Sequence, residues 1–143
     1  MLKTPLILLA LTLAAAATAE SLKRPTNATP ADLRWADTGL GPLASPVSGD
    51  FTRGAHVTYL KFASGMKTSL HTHSADYVGI VVAGNARHVV KGMPETEKIL
   101  PPGSHWFMPA NLEHVSECLP GAECIFALIQ NDKFDFLEVG KKR

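Results

Sequence analysis

The sequence has little net charge, few cysteines and almost no helical periodicity. Its 143 residues include 14 Lys and Arg against 13 Asp and Glu, so the formal net charge is only +1. No basic stripe interleaved with aromatic side chains is present, and we therefore expect no nucleic-acid partner. The C-terminal basic run at 141–143 is interpreted as a solvated tail.

Short strand-like runs take the place of helical segments. Gly and Pro are frequent, with 11 and 10 residues respectively, and they recur at short intervals. The runs between them predict strands at 56–62, 77–83, 86–91, 97–100, 105–108, 113–118, 124–130 and 134–139. Many short strands bounded by turn signals indicate an all-β sandwich or barrel.

Long apolar runs are missing except at the N-terminus. Lys3 precedes an apolar run at 6–17, and Ala17-Thr18-Ala19 forms a small-residue cleavage site before Glu20. Residues 1–19 are therefore predicted to be a secretory signal peptide, and the protein is expected in the periplasm or secreted. A membrane anchor is the alternative, but the run is shorter than the ~20 residues of a spanning helix. No cysteine follows the cleavage site, so neither a lipid anchor nor any membrane contact is expected after cleavage.

The rest of the chain suits a single domain with one core. Residues 20–48 are Pro-rich and poorly periodic, and they are predicted to form an extended arm with one short strand near 33–35. Residues 49–143 are predicted to form the β-barrel domain.

The two cysteines, Cys118 and Cys124, flank a turn signal at Pro120-Gly121. Export permits a disulfide, and a bridge across this hairpin loop is the main interpretation. It would close a short loop and add about 2 kcal/mol of stability. A redox-active pair is the alternative, although the spacing is not Cys-x-x-Cys.

Three histidines form the one constellation with a clear chemical purpose. His71 and His73 are two residues apart, so on a β-strand both imidazoles lie on the same face. With His114 from a later strand, they would bind one metal ion through three nitrogens and leave a position open for water or substrate. The alternative is that they are ordinary pocket histidines.

The spacing around these histidines resembles the two motifs of the cupin superfamily. The first motif is matched in spacing by Gly65, His71, His73, Tyr77 and Gly84, with Tyr77 in place of glutamate. The second is matched by Gly103, Pro109, Asn111, His114 and Cys118, with Asn111 in place of glycine and Cys118 in place of asparagine. The resemblance implies an antiparallel jelly-roll barrel with the metal inside its mouth, and a homodimer. The sequence around the motifs resembles small, exported single-domain cupins, the ChrR-like and DUF4437-type domains.

Tyr77 stands where many cupins place a glutamate ligand. The resemblance therefore implies three neutral imidazoles plus water around the metal, with the Tyr77 hydroxyl orienting a neighbouring ligand or the substrate. Ligation by a Tyr77 phenolate is the alternative, which a reference pKa of ~10 makes costly. Asp76 faces away in regular strand geometry, but a bulge would exchange the two. Gly79 is predicted to leave room for a ligand or to mark a bulge.

A fourth histidine, His105, lies on the strand that leads into the second motif. It is predicted to face the cavity and carry protons beside Tyr77 as a catalytic residue, because histidine is a common general acid or base near neutral pH. The alternative is an exposed strand histidine. His56 and His88 are interpreted as structural.

These observations predict an exported, metal-dependent cupin enzyme. One divalent transition metal ion is expected, with Fe(II) favoured and Mn, Ni, Cu or Zn as alternatives. With iron, the enzyme would be a dioxygenase that cleaves a small organic substrate, such as an enol or a diketone. The alternative is a non-catalytic module that binds a metal or a ligand. A sugar-processing or isomerase cupin is less favoured, because the motifs lack a clear carboxylate base.

Overall fold

A computed structural model describes residues 25–140 of the chain. The predicted signal peptide at 1–19 and the basic tail at 141–143 lie outside the described residues. Within the described range, no helix has both the length and the hydropathy needed to cross a membrane. Regular structure consists of two short 3₁₀ helices, Pro30–Asp32 and Pro94–Thr96, and ten strands. In chain order the strands are β1 (Ala36–Asp37), β2 (Leu43–Gly49), β3 (His56–Phe62), β4 (His71–Thr72), β5 (Tyr77–Ala83), β6 (Ala86–Val90), β7 (His105–Met108), β8 (His114–Cys118), β9 (Cys124–Gln130) and β10 (Leu137–Glu138).

The strands form two antiparallel sheets that face each other. The larger sheet has six strands in the order β1-β2-β3-β9-β5-β7, and the smaller has four in the order β10-β4-β8-β6. Neighbours in both sheets are often distant in sequence, because the chain crosses repeatedly from one sheet to the other. The all-β jelly-roll architecture predicted from the sequence is confirmed.

The predicted strands and the structure differ mainly at the two ends of the described chain. Residues 43–48, predicted as part of the arm, belong to β2, which pairs along its length with β3. Because this strand contains Pro46 and several small residues, it shows no alternating hydrophobic pattern. Its pairing with β3 shifts register between Pro46 and Ser48. The short strand expected near 33–35 lies instead at β1. Trp35 packs on the protein's own larger sheet, where the Lys61 ammonium lies 4.4 Å from the indole centroid.

Two other predicted strands are shorter than expected. Residues 97–100 contribute only an isolated bridge from Leu100 to Ala86, after a 3₁₀ turn that begins at Pro94. Residues 134–139 form only the two-residue strand β10. Their other side chains pack over the opening between the sheets, as described below.

The space between the sheets is apolar at one end and polar at the other. Alternation along β3, β5 and β9 turns Phe62, Val81 and Phe126 inward, and the rings of Phe62 and Phe126 meet edge to face at 5.0 Å. Burying a side chain of this size contributes roughly 2–3 kcal/mol. At the other end of the same strands, His56, Gln130 and Tyr77 form a row across the sheet. The polar row marks this end as the place to look for a site.

The apolar end is closed by the predicted disulfide. Cys118 at the end of β8 and Cys124 at the start of β9 are bonded, with their Cα atoms 5.6 Å apart. Because β8 belongs to the smaller sheet and β9 to the larger, the bridge ties the two sheets together. Both cysteines are fully buried.

The outer face of the larger sheet exposes apolar side chains. Phe107 on β7 is 60% exposed, and it lies in one row with Val78 and Ile129. The homodimer that the sequence suggested remains a prediction.

Candidate metal centre

The structure brings together the three histidines that the sequence singles out as metal ligands. His71 on β4 is paired directly with His114 on β8, and His73 follows β4 on the same face. All three are buried, and each offers a nitrogen within 4.8 Å of the others. Ligands that bind one ion at about 2.0–2.1 Å lie roughly 3 Å apart, so small ring movements suffice to bind a metal.

Backbone carbonyl groups fix the orientation of all three imidazoles. Nδ1 of His71 donates to the Ser69 carbonyl at 2.8 Å, and Nδ1 of His114 donates to the Leu112 carbonyl at 2.8 Å. Nδ1 of His73 donates to the Asp135 carbonyl. Because a carbonyl can only accept, each Nδ1 carries the proton and each Nε2 is unprotonated, with a lone pair that can bind a metal. This arrangement, in which the far nitrogen is hydrogen-bonded, is typical of histidines that bind metals.

Burial keeps the three imidazoles neutral. It lowers the pKa of His71 to about 3, that of His73 to about 4, and that of His114 in the same direction. The neighbouring histidines add repulsion, which disfavours a positive charge on any one of them. The cluster holds no carboxylate ligand, so a bound divalent ion would keep its full charge and attract an anionic oxygen group of a substrate.

Tyr77 points into the site, and Asp76 does not. The Tyr77 hydroxyl lies 3.2 Å from Nε2 of His114 and 3.4 Å from Nε2 of His88. Asp76 is exposed, and its carboxylate accepts a hydrogen bond from the backbone N–H of Ala110 at 2.6 Å. The question that the sequence left open is therefore answered in favour of Tyr77. Burial raises the pKa of the Tyr77 phenol and keeps it protonated.

The prediction that His105 faces the cavity is wrong. Alternation along β7 turns Trp106 and Met108 inward, so His105 and Phe107 point to the outside. His105 is exposed and does not line the pocket.

The fourth buried histidine of the site is His88, which the sequence analysis interpreted as structural. Its ring stacks on Trp106 with centroids 4.5 Å apart, and its Nδ1 lies 3.0 Å from Oγ of Ser116. Burial lowers its pKa well below the ordinary value. A signal was present in the sequence, because Ala86, His88 and Val90 alternate with outward residues and so share the inner face of β6.

The space at Gly79 serves the protein itself and not a ligand. Gly79 pairs with Trp106 on β7, and a Cβ at Gly79 would lie 2.1 Å from the indole. The glycine therefore allows Trp106 to lie flat across β5, where it reaches His88. The expectation that Gly79 leaves room for a substrate is corrected accordingly.

Two of the three histidines, His71 and His73, line one wall of a mainly apolar pocket between the sheets. The ring of Phe136 stacks on His71 at 4.0 Å, and Phe134 lies 5.1 Å from His73. Both phenylalanines belong to the segment that follows β9, so this segment covers the metal-ligand cluster. Other lining residues are Leu40 and Pro42 from the N-terminal segment, and Leu60, Trp106 and Leu128 from the larger sheet.

Solved structures with the same architecture are found among the cupins. The polyketide cyclase RemF from Streptomyces resistomycificus is 16% identical, with a TM-score of 0.66 over 84% of this chain and 89% of RemF. An RmlC-like cupin from Ralstonia eutropha is 19% identical, with a TM-score of 0.64 over 83% of this chain and 76% of that protein. The DMSP lyase DddQ from Ruegeria pomeroyi is 18% identical, with a TM-score of 0.58 over 71% of this chain and 57% of DddQ. No protein-family model and no curated protein sequence matches the chain.

The likeness establishes the fold, which is the cupin jelly roll. Identities below 25% do not extend it to activity. What this chain can do therefore depends on its own residues: three neutral imidazoles with unprotonated Nε2 atoms, a buried phenol beside them and a mainly apolar pocket.

Proposed function

We propose that this protein is a metal-dependent enzyme that acts on a small, mainly apolar organic substrate. The observation that carries the proposal is the set of three Nδ1–H bonds to backbone carbonyls, which leaves three unprotonated Nε2 atoms in one compact, buried cluster. A fold that needed only buried histidines would have no reason to fix all three in the same tautomer. His71, His73 and His114 would hold the metal, with Fe(II) favoured and Mn, Ni, Cu or Zn as alternatives.

The chain's own residues bind and orient the substrate. The aromatic and aliphatic walls of the pocket exclude water and accept an apolar skeleton, while Phe134 and Phe136 cover the histidines. Once Nε2 of His114 is committed to a metal, it no longer accepts a hydrogen bond from Tyr77. The Tyr77 hydroxyl would then donate to an oxygen atom of the substrate, and this supports its predicted role as an orienting or proton-holding group.

The finer proposal is a dioxygenase-type reaction. An Fe(II) ion at this site would supply Lewis-acid activation of an enol or diketone-like substrate together with redox chemistry toward O₂. The names of two proteins with the same fold, a cyclase and a lyase, give reason to test a reaction without oxygen as well. A non-catalytic module that binds a metal or a ligand is the second candidate, favoured if a bound metal has no exchangeable position.

Metal analysis is the first test. The protein is purified without affinity metals, and its metal content is compared with that of a His71→Ala/His114→Ala variant and of a His105→Ala control. We expect about one transition metal ion per chain in the wild type and in the control, and almost none in the double variant. Equal metal content in all three proteins, or none after reconstitution, would refute the site.

Oxygen uptake with a diketone panel then separates the candidate reactions. Iron-dependent uptake supports the dioxygenase. Substrate turnover without uptake supports a non-oxidative reaction, and binding without turnover supports the binding module. Export through the predicted signal peptide at 1–19, the ChrR-like grouping and the homodimer are further parts of the proposal.

A further inference from the structure

A second polar cluster faces the pocket from the sheet opposite the three histidines. It consists of His56 and Thr58 on β3 and Gln130 on β9, all three of them buried. Nδ1 of His56 lies 3.0 Å from Oγ1 of Thr58, and Nε2 of His56 lies 3.3 Å from Oε1 of Gln130. His56 and Thr58 line the same pocket as His71 and His73. The predicted metal chemistry uses none of the three cluster residues.

The direction of every hydrogen bond in this cluster can be deduced from one carbonyl group. The Gln130 amide nitrogen donates to the carbonyl of Ala75 at 3.4 Å, which fixes Oε1 of Gln130 toward His56. An amide oxygen only accepts, so Nε2 of His56 must carry a proton. Burial lowers the pKa of His56, so the ring is neutral and its Nδ1 has no proton. Nδ1 therefore accepts the hydroxyl proton of Thr58.

The consequence is that Thr58 presents only an acceptor to the pocket. Its single proton is committed to His56, and its oxygen has no other hydrogen bond among residues 25–140. A substrate carbonyl or ether in front of Thr58 would meet oxygen lone pairs and be repelled. A substrate hydroxyl or N–H group would donate a hydrogen bond to Oγ1 of Thr58. Thr58 would therefore favour a substituent that donates a hydrogen bond over one of similar size that only accepts.

The two clusters lie on opposite walls of one pocket. The metal-ligand cluster belongs to the smaller sheet, and His56 and Thr58 belong to the larger one. The backbones of sheets that pack face to face are about 10 Å apart, so a compact molecule bound in the pocket would contact side chains of both walls. The other hydroxyl groups that line the pocket belong to Thr38, Thr68, Tyr77 and Ser116, and each already has a hydrogen-bond partner within the protein.

We infer that Thr58, held by His56 and Gln130, selects substrates that carry a hydroxyl or N–H donor on the end remote from the metal. The inferred substrate class is a compact ring compound with a metal-binding oxygen group at one end and a hydroxyl group at the other. This inference deepens the proposed function and rests on it for the orientation of the substrate. Recognition at Thr58 itself does not require the metal.

Ring probes that differ in one substituent test the inference. The probes are 3- and 4-hydroxybenzohydroxamate and the two fluoro compounds that match them in size but cannot donate. The hydroxamate offers two oxygen atoms to a metal, and the ring fills the apolar pocket. Affinities are measured by calorimetry with the Co(II)-loaded and the metal-free protein. We expect at least one hydroxy probe to bind about tenfold more tightly than its fluoro counterpart, the value of one well-formed hydrogen bond.

Variants identify Thr58 as the source of that preference. In Thr58→Val the ratio of hydroxy-probe affinity to fluoro-probe affinity should fall to one or below, because a methyl group replaces the acceptor. Thr58→Ser keeps the hydroxyl and should keep the ratio. Thr72→Val makes the same chemical change on β4 outside the pocket and should also keep it. In His56→Leu the Thr58 proton is released, so the ratio should fall even though Thr58 is still present.

Failure of the inference and failure of the proposed function give different results. A wild-type ratio near one, a ratio that survives in Thr58→Val, or no binding of any probe would overturn the inference. If the affinities are the same with and without Co(II), the metal function fails, and the hydroxy-to-fluoro ratio in the metal-free protein still decides the role of Thr58.

Discussion

Tyr77 is the residue whose chemistry differs most from the motif that it occupies. Its hydroxyl lies 3.2 Å from one candidate ligand atom and is held in a buried position. As a neutral phenol it serves the site by hydrogen bonding, whereas as a phenolate it would itself bind the metal. The two roles can be separated with one substitution.

We predict that Tyr77→Phe retains the metal and loses function. Three Nε2 atoms remain in the variant, so metal stoichiometry should be unchanged, while substrate affinity or turnover falls at least tenfold. The absorption spectrum of the Fe(III)-loaded protein provides the check, because a phenolate ligand gives a visible charge-transfer band and a neutral phenol does not. A band that disappears in the variant would make Tyr77 a ligand. Tyr59→Phe, which changes the only other tyrosine, is the matched control.

Single residues also show where sequence reasoning reaches its limit. His71, His73 and His114 could be identified because their spacing carries chemical information on its own. The inward position of His88 was indicated by the alternation along β6. His105 could not be placed correctly, because the inward face of a strand depends on the register with its neighbours. In β7 that register is set by Trp106 lying across Gly79, a contact between residues far apart in the sequence.

At the level of elements, the β5–β7 pair is organised around one contact. Trp106 lies over Gly79, stacks on His88 and meets Phe126 edge to face at 5.6 Å. It thereby links the larger sheet to the base of the metal-ligand cluster. A side chain at Gly79 would push the indole out of this position.

We predict that Gly79→Ala destabilises the protein by about 1–3 kcal/mol, the range of an overpacked core. Chemical unfolding followed by Trp fluorescence measures the loss and reports the displaced indole. Gly54→Ala is the control, because a Cβ there meets nothing within 4 Å. Trp106→Leu added to Gly79→Ala should recover part of the loss. Equal stability of Gly79→Ala and Gly54→Ala would contradict this account of the strand pair.

The element that sequence reasoning missed is β2. Its buried residues are Ala44 and Ser45, which are too small to give a strand signal, and Pro46 argues against a strand. Residues 43–49 adopt a strand because they pair with β3, and their own sequence shows no strand preference. The central strands β3, β5 and β9 were predicted at their observed bounds, because their alternation of large apolar side chains is set by burial on one face.

For the whole molecule, the most unusual property is that five of its six histidines are buried. Burial lowers the pKa of His56, His71, His73, His88 and His114. In the unfolded chain the same groups bind protons near pH 6.5. The unfolded state therefore binds more protons below that pH, and stability must fall as the pH falls.

We predict that the metal-free protein has a constant unfolding free energy above about pH 7.5 and loses it steeply between pH 6.5 and pH 4. Each histidine contributes up to roughly 1.4 kcal/mol per pH unit in that window. Urea unfolding at a series of pH values measures the slope, and His56→Gln should reduce it by the share of one histidine. Bound metal should shift the fall to lower pH. A flat profile from pH 7 to pH 5 would show that these imidazoles are not buried in solution.

The residues of the candidate metal centre are synthesised in a fixed order, with the ligands before the residues that orient and cover them. Ribosomes make proteins from the N-terminus, so His71, His73 and His114 are all synthesised before Asp135, whose carbonyl orients His73, and before Phe136, which covers His71. An incomplete chain would therefore carry all three ligands without the contacts that aim and shelter them. A metal ion at this site would therefore be bound tightly only after residues 135 and 136 have been synthesised and have folded against the histidines.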